Sequence, residues 1–210
     1  MAQPIDRQEF EKQMEHEGRL PPGQSLTQKF PVLHYGSIPT FDPKTWRLRI
    51  WGEVKEEISW TWEEFTQLPQ SVIKMDIHCV TRWSKFDTLW KGVSIPSLIK
   101  TGHLQLKPDA AYLLQHAEGG YTTNLPLEIA LQENFLLATH FNGDPLTPDH
   151  GAPVRGMVGH IPGSEIKTTY FWKGAKWLTG LEFLIKDQLG FWEKSGYHNE
   201  ADIWKEQRTR

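Results

Sequence analysis

The sequence predicts an α+β fold with a mixed β-sheet or barrel-like core and short helices. Stretches with the apolar runs or alternation of β-strands are interspersed with short helical stretches. No stretch resembles the long amphipathic helices that cover a doubly wound parallel sheet. The 210 residues, 38% hydrophobic and 23% charged, have the composition of a globular protein of one domain or a compact pair.

The elements follow in chain order from local patterns. Apolar and β-branched runs predict strands at residues 46–51, 72–77, 111–117, 135–141, 153–158 and 176–185. Short helices are predicted around Phe10 and Met14, from Ser59 onward, and at residues 94–102 and 126–132. Thr61 and Glu64 have the spacing of a capping box. Asn142-Gly143 is the strongest short hairpin signal in the chain.

Composition divides the chain unevenly. Residues 1–25 are polar and charged and include the Pro21-Pro22-Gly23 step, which ends regular structure. We expect an N-terminal polar arm at 1–25 and one folded domain at 26–210. The sequence contains no internal repeat and no low-complexity tract.

Charge, hydropathy and cysteine usage narrow the function classes. The net charge is −3 and no basic run occurs, which argues against a nucleic-acid partner. No apolar run approaches the ~20 residues of a membrane span. One cysteine cannot form an internal disulfide and fits a reducing compartment. The N-terminal residues have neither an apolar signal core nor a twin arginine, so we expect a cytoplasmic protein.

Cys79 lies just after the predicted strand at 72–77, and a mixed polar and aromatic loop is predicted to follow it. At such a junction its side chain can point into a site while its backbone stays fixed. The thiolate is the form that attacks carbon or binds metal, and the charges of His78, Arg82 and Lys85 can favour it. A lone cysteine is also often a small buried hydrophobic residue. A cysteine hydrolase with Cys79 as nucleophile and a distant histidine as base remains open. A closed structural zinc site has no support, because the chain has no Cys-x-x-Cys and no His-Glu-x-x-His.

A second group of residues has the chemistry of a phosphate cradle. His150 and Arg155 flank the start of a predicted strand, and Lys173 and Lys176 flank the permissive Gly174. Cationic side chains around closely approaching backbone bind phosphate by charge-assisted hydrogen bonds. The alternative is an ordinary turn and a solvated strand end.

The segment around Cys79 resembles a known family. His-Cys-Val-Thr-Arg-Trp at 78–83, followed by Leu-Trp-Lys-Gly-Val at 89–93, is similar to the cysteine segment of sulfite oxidase-type molybdenum enzymes. The resemblance implies that the Cys79 sulfur is a molybdenum ligand. It also implies that the dithiolene of a molybdopterin cofactor supplies the other sulfur ligands, so the expected cofactor is molybdenum-molybdopterin.

Later segments match the same family in the same order. They are Asn-Gly-Asp-Pro-Leu at 142–146, Asp-His-Gly-Ala-Pro-Val-Arg at 149–155 and Lys-Trp at 176–177. The resemblance implies that His150 and Arg155 hold the pterin and its phosphate. It implies further contacts from Gly174, Ala175 and Lys176. Residues 161–169 make this loop longer than the family pattern.

The two ends of the matching region add three residues. His34-Tyr35, before Gly-Ser-Ile-Pro, looks like the cofactor segment near the family's N-terminus. Tyr197 follows Trp192 by five positions, as the active-site tyrosine does in the family. The resemblance implies that His34 and Tyr35 bind the cofactor and that Tyr197 donates a hydrogen bond to the oxygen being moved.

Departures from the family concern the substrate. Leu33 and Ser84 stand where sulfite oxidases of the family have substrate-binding arginines. The chain resembles the small bacterial branch, which includes sulfoxide reductases. We therefore expect oxygen-atom transfer on an S-oxide or N-oxide among the aromatic rings of Trp83, Trp90 and Trp192.

Two alternatives remain open. Sulfite oxidation is one, because Arg82 and Lys85 still supply cations near Cys79. The other, of a different class, is a metal-free cysteine hydrolase or binding module. No haem-binding domain is recognisable, so we expect a separate electron donor or acceptor protein. The physiological substrate, the direction of the reaction, the form of the pterin and the oligomeric state stay open.

Overall fold

The computed structural model describes residues 6–209, in which two mixed sheets carry short helices. The helices are α1 (Arg7–His16), α2 (Trp62–Gln67), α3 (Ile95–Lys100), α4 (Leu127–Ala130) and α5 (Phe191–Lys194). The strands are β1 (Ser25–Leu26), β2 (Arg47–Gly52), β3 (Ile58–Thr61), β4 (Ser71–His78), β5 (Trp83–Val93), β6 (Tyr112–Ala117), β7 (Thr122–Pro126), β8 (Phe135–Phe141), β9 (Asp144–Pro145), β10 (Arg155–Val158) and β11 (Leu178–Leu184). Three short 3₁₀ helices, Glu118–Gly120, Pro148–His150 and Phe171–Lys173, lie between them.

The first sheet has the order β1-β5-β8-β10, with β4 also on β5 and β9 on β8. Only the β1–β5 pairing in it is parallel. The second sheet has the order β3-β2-β11-β6-β7, and only its β2–β11 pairing is parallel. The predicted mixed-sheet α+β fold is confirmed, and within residues 6–209 neither sheet closes into a barrel.

Elements with a strong local signal form where the sequence predicts them. The run at 135–141 is β8, and Asn142 and Gly143 both have positive φ in the turn that leads into β9. This is the backbone that an Asn-Gly pair favours. Thr61 and Glu64 form the reciprocal bonds of a capping box. The helix begins at Trp62 rather than Ser59, because Ile58–Thr61 pairs with β2 as a strand.

The sequence prediction is wrong about the residues after Cys79. Instead of a long loop, only residues 79–82 are irregular, and the 11-residue strand β5 follows. The apolar–polar alternation expected of a strand is interrupted in β5. The pairing register of β4 and β5 shifts between Met75 and Ile77, opposite Asp87, whose φ is 55°. The inward-facing positions also include polar residues. Strand β7, with the sequence Thr-Thr-Asn-Leu-Pro, is missed for the same reason.

Strand β8 of the first sheet is buried on both faces along most of its length. Phe135 and Leu137 of β8 enter the main core with side chains of the second sheet. Leu136 and Ala138 enter a smaller core with Trp90, Phe30 and Phe171. A strand buried on both faces needs the near-continuous apolar run seen in β8. The cleft described below opens beside the smaller core.

The N-terminal region packs on the first sheet. Met14 of α1 is buried, and Arg19 makes a bidentate bond of 2.8 Å per arm to Asp76 of β4. Residues 1–5 of the predicted polar arm lie outside the described residues, and the division at residue 25 stays a prediction. None of the helices in residues 6–209 combines the length and apolar character that crossing a bilayer requires.

Candidate functional site

One cleft collects most of the residues that the sequence singles out. Its lining residues surround about 670 Å³ of space, part of which is open to solvent. Its lining is mainly aromatic and basic, and consists of Pro31, Leu33, His34, Tyr35, Cys79, Trp83, Tyr121, His150, Arg155, Phe171, Trp172, Gly174, Lys176, Trp177 and Trp192. Of the residues that the sequence analysis assigns to the site, Trp90, Lys173, Ala175 and Tyr197 are not in this lining.

Cys79 follows directly on β4 in a tight turn that we call the cysteine loop, residues 79–82. The Cys79 N–H donates to Trp83 O at 2.8 Å, and Arg82 N–H donates back to Cys79 O at 3.0 Å. Arg82 closes the turn with a φ of 72°. The thiol is 6% exposed, and its Sγ lies 3.2 Å from Thr81 Oγ1. The sulfur is therefore held at the wall of the cleft by a short, hydrogen-bonded turn.

The thiol sits in a mixed electrostatic environment. Burial raises the pKa of Cys79, while the hydrogen bonds from Thr81 and the charge of Arg208 act in the opposite direction. Without a bound cation, the neutral thiol is the stable form at neutral pH. A metal ion replaces that proton when it binds a thiolate. A free nucleophilic thiolate, which a cysteine hydrolase needs, is disfavoured by this burial.

Arg155 is a buried cation that forms no ion pair with a carboxylate of residues 6–209. Its side chain, 1% exposed, donates to His150 O at 3.0 Å, Gly174 O at 3.3 Å and Gly156 O at 3.3 Å. The guanidinium lies 4.1 Å from the centre of the Phe171 ring. Burial lowers the pKa of Arg155 to about 9, which leaves the group charged at neutral pH. A buried charge that is not compensated by an acidic side chain favours binding of an anion.

Lys176 and His150 complete what we call the basic cluster, His150, Arg155 and Lys176. Burial, followed by the charge of Arg155, lowers the pKa of Lys176 to about 7. The Lys176 Nζ donates to Asp149 O at 2.5 Å. Burial lowers the pKa of His150 to about 4, so this ring is neutral at pH 7. It stacks on Phe30 at 3.8 Å between centroids, and its buried Nδ1 has no hydrogen-bond partner in the described structure.

Gln115, a residue of the second sheet that the sequence analysis did not identify, holds the loop that carries Gly174. Gln115 of β6 accepts from Ala175 N–H at 3.0 Å and donates to Lys173 O at 2.7 Å. A Cβ on Gly174 would stand 2.2 Å from Gly156 O, so only glycine fits there. Ala175 also accepts from Gly156 N–H at 2.8 Å. Both backbone groups of Ala175 are thus bonded inside the protein, which makes it part of the support of the loop.

His34 and Tyr35 lie on an irregular, exposed segment across the mouth of the cleft. The His34 ring meets Trp177 at 5.3 Å, and the Tyr35 ring meets Phe191 at 4.4 Å between centroids. His34 Nδ1 bonds Gly36 O at 3.0 Å. The segment is therefore anchored by ring contacts on both sides of the cleft, where a bound cofactor could meet it.

Tyr197 stands beside the aromatic wall. Its ring lies 5.5 Å from Trp172 and 5.1 Å from Trp192, measured between centroids, and both tryptophans line the cleft. Behind these rings is a fully buried ion pair, Lys173 Nζ to Glu193 Oε1 at 2.8 Å. Lys173 follows Trp172 in sequence, and Glu193 follows Trp192. The ion pair therefore connects the two segments that carry these tryptophans. Sequence reasoning did not single out Glu193, because one acidic residue in a short helix carries no pattern.

The two positions at which sulfite oxidases of the family have substrate-binding arginines lie in different environments. Leu33 lines the cleft, whereas Ser84 is fully buried and bonds His78 Nδ1 at 2.8 Å. Trp83 and Trp192 line the cleft as expected. Trp90 is fully buried in the smaller core instead, with its Nε1 donating to Thr88 Oγ1 at 2.8 Å. The expectation that Trp90 surrounds the substrate is wrong, because β5 turns this side chain inward.

The residues present fit a cofactor with a soft metal and an anionic tail. Across residues 6–209, no group of three or more His, Cys, Asp or Glu side chains is arranged to hold a metal ion. Cys79 is the one thiol of the chain, and it faces the same cleft as the uncompensated Arg155. A dithiolene cofactor brings the other sulfur ligands itself, and its phosphate would match the basic cluster.

Comparisons with known proteins agree with this fit. Residues 35–192 match the family model described as the oxidoreductase molybdopterin binding domain. The chain is 43% identical to YuiH, an uncharacterized oxidoreductase of Bacillus subtilis, over 94% of this chain and 95% of that protein. It is 26% identical to a protein-methionine-sulfoxide reductase subunit, so named provisionally, from Azospira oryzae, over 84% of this chain and 64% of that protein.

A solved structure supports the fold. The sulfane dehydrogenase SoxCD of Paracoccus pantotrophus superimposes with a TM-score of 0.62 at 15% identity, over 93% of this chain and 58% of that chain. The chain thus spans less than two thirds of the Azospira and Paracoccus proteins. The predicted cofactor, molybdenum-molybdopterin, is confirmed by the family match. This chain belongs to the oxidoreductase molybdopterin-binding domain family, and it is an oxidoreductase of the sulfite oxidase type.

Proposed function

We propose that this protein removes an oxygen atom from an S-oxide or N-oxide, with Cys79 as the protein ligand of the molybdenum. The observation that carries the substrate class is the lining of the cleft near the sulfur. Leu33, at the position where sulfite oxidases of the family have an arginine, lines the cleft together with the rings of Trp83 and Trp192. Such a wall favours a neutral, polarisable substrate over a doubly charged oxyanion.

When bound, the cofactor supplies the two-electron redox chemistry of oxygen-atom transfer. The cysteine loop holds the Cys79 sulfur in place, and the basic cluster binds the pterin phosphate. The aromatic walls exclude water and orient the substrate. Tyr197 is proposed to donate a hydrogen bond to the departing oxygen, for which a movement of Trp172 or Trp192 would be required. Each turnover consumes two electrons and two protons and releases the reduced sulfide or amine and water.

The electrons are proposed to come from a separate donor protein. The name of the Azospira relative, a methionine-sulfoxide reductase subunit, supports an S-oxide substrate. Sulfite oxidation is the second candidate, favoured by the cations of Arg82 and Lys85 in the neighbourhood of the cysteine loop. Neither of these two side chains lines the cleft, and Lys85 Nζ is engaged by Gln28 O at 2.8 Å. A cytoplasmic location stays the expectation from sequence.

The test is a panel of S-oxides and N-oxides, reduced with an artificial electron donor, beside sulfite oxidation with an artificial acceptor. The proposal expects oxide reduction that exceeds sulfite turnover. Leu33→Arg should shift the ratio toward sulfite, and Val32→Arg, one position away on the same exposed segment, is the matched control. Efficient sulfite turnover without oxide reduction would overturn the proposal. Unchanged rates in Tyr197→Phe would remove the tyrosine from the mechanism.

A further inference from the structure

Three parts of the chain that are remote in sequence meet behind the cysteine loop. Residues 22–24 approach from the N-terminal side, and Arg208 approaches from the C-terminal side. Gln24 Nε2 donates to Cys79 O at 3.0 Å. Arg208 Nη1 donates to Val80 O at 2.6 Å. Two consecutive carbonyl groups of the cysteine loop are therefore held by the two ends of the described chain.

Arg208 also holds the tyrosine segment, residues 197–198. Its backbone O accepts from His198 N–H at 3.2 Å, and its neighbour Thr209 forms a β-bridge with Tyr197. The side chain of Arg208 thus bonds the cysteine loop while its backbone bonds the segment that carries Tyr197. One residue connects the predicted metal ligand with the predicted proton donor.

The Arg208 side chain is largely enclosed and contacts several groups at once. Only 11% of the side chain is exposed, and the guanidinium lies 4.8 Å from the centre of the buried Tyr170 ring. The second arm of the guanidinium, Nη2, reaches Pro22 O and Gly23 O at 3.4 Å each. A planar fork can contact carbonyl groups on both sides at once, whereas a lysine ammonium cannot span them with fixed geometry.

We propose that Arg208 is a positioning residue for the reaction, which sets the place of the Cys79 sulfur relative to the Tyr197 segment. The inference rests on the proposed function, in which Cys79 binds the metal and Tyr197 donates a hydrogen bond to the departing oxygen. Arg208 touches neither substrate nor cofactor in this account. Its effect passes through the backbone of the cysteine loop and through the short bridge at Tyr197.

The experiment compares Arg208→Gln and Arg208→Lys with the wild-type holoenzyme, using dimethyl sulfoxide as substrate. Arg47→Gln is the matched control, because Arg47 also donates to two backbone carbonyls, Lys44 O and Trp46 O, but in the second sheet. We expect Arg208→Gln to retain its molybdenum and to lose kcat by about 10- to 100-fold with little change in KM. The thiolate-to-metal absorption band should shift, which a role in stability alone would not produce.

A second readout needs neither activity nor cofactor. In the cofactor-free full chain, the alkylation rate of the Cys79 thiolate, taken from the high-pH plateau so that the lost charge of Arg208 does not alter the thiolate fraction, should rise about tenfold or more in Arg208→Gln, as expected for the loss of one charge-assisted bond. Arg208→Lys should fall between wild type and Arg208→Gln, and Arg47→Gln should match wild type. If Arg208→Gln does not fold, Arg208→Lys is measured in its place, with smaller changes expected in the same direction.

The proposal would be overturned if the variant that folds has an unshifted absorption band, wild-type kcat and a wild-type alkylation rate. Failure of the proposed function has a different signature. It would appear as molybdenum retained in Cys79→Ser, or as absence of oxide reduction in the wild-type protein, whereas the alkylation rates report on Arg208 alone.

Discussion

The cysteine loop and the basic cluster line the same cleft but are built in opposite ways. The cysteine loop has one soft donor, Cys79, and its backbone is held by hydrogen bonds from remote parts of the chain. The basic cluster has two cations, Arg155 and Lys176, whose side chains bond only carbonyl oxygens of their surroundings. The difference indicates a division of labour. We propose that charge retains the cofactor through its phosphate and that the fixed sulfur directs the metal.

Arg155→Met tests the charged half, and we expect the largest loss of cofactor from it. Each lost charge-assisted bond to the phosphate weakens binding by about 1.5–3 kcal/mol, so both molybdenum and pterin should fall sharply. The apoprotein should remain folded, because the change removes an uncompensated buried charge along with its carbonyl bonds. Metal analysis, pterin fluorescence and thermal unfolding measure these quantities. Arg47→Met is the control, and full cofactor content in Arg155→Met would contradict the assignment.

Gln115→Leu tests whether the basic cluster depends on the support of its loop. The change leaves Ala175 N–H and Lys173 C=O buried without their side-chain partner, at about 1–3 kcal/mol for each group. We expect a lower free energy of unfolding and a severalfold weaker retention of pterin. Denaturant unfolding and pterin content check this. Gln70→Leu, which removes one bond to Leu68 O, should change neither quantity much. Equal behaviour of the two variants would argue against a special role for Gln115.

Lys176 should make anion binding depend on pH. Its pKa of about 7 lies below that of a free lysine, so an anion binds the already charged form below pH 7. Above pH 7 binding must take up a proton, and the affinity of the apoprotein for sulfate should fall by up to about tenfold per pH unit. Arg155 is charged and His150 is neutral throughout this window.

Calorimetric titration with sulfate from pH 6 to pH 8.5 measures this dependence. Sulfate keeps its charge over the range, which leaves the protein as the source of any change. Lys176→Met should bind sulfate more weakly at pH 6 and with a flat pH profile. A slope that persists in Lys176→Met would assign the titration to another group.

His150→Phe should have the smallest effect. The pKa of His150, about 4, means that the ring contributes no positive charge at pH 7. The phenyl ring can keep the stack on Phe30 and loses only the hydrogen-bonding capacity of Nδ1. We expect pterin content close to wild type. His150→Ala, which also removes the stack, should lose more, and the same loss in both variants would mean that the ring nitrogens dominate.

The sequence predicted those features whose signals lie within a few neighbouring residues. The apolar run of β8 and the Asn142-Gly143 turn were predicted because both signals lie within a few residues. The motifs around Cys79 and Arg155 led to the cleft and the cofactor. Strand β5 was missed because its register shift and its inward-facing Ser84 and Thr88 hide the alternation.

Residues that act through distant partners had no signal of their own. Gln115 becomes notable only when β6 packs against the loop at Lys173 and Ala175. Arg208 becomes notable only when the chain returns to Val80. Ser84 occupies the place of an arginine in the sequence pattern, yet its side chain points to His78 and away from the cleft. A position in a motif thus does not fix the direction of its side chain.

The most direct test of the division of labour is the ratio of molybdenum to pterin in Cys79→Ser and Arg155→Met, purified side by side with wild type. The account predicts that Cys79→Ser loses most of its molybdenum and keeps pterin on the intact basic cluster. It predicts that Arg155→Met loses both together. Full molybdenum content in Cys79→Ser would contradict the account, because the metal would then be held without the sulfur of the cysteine loop.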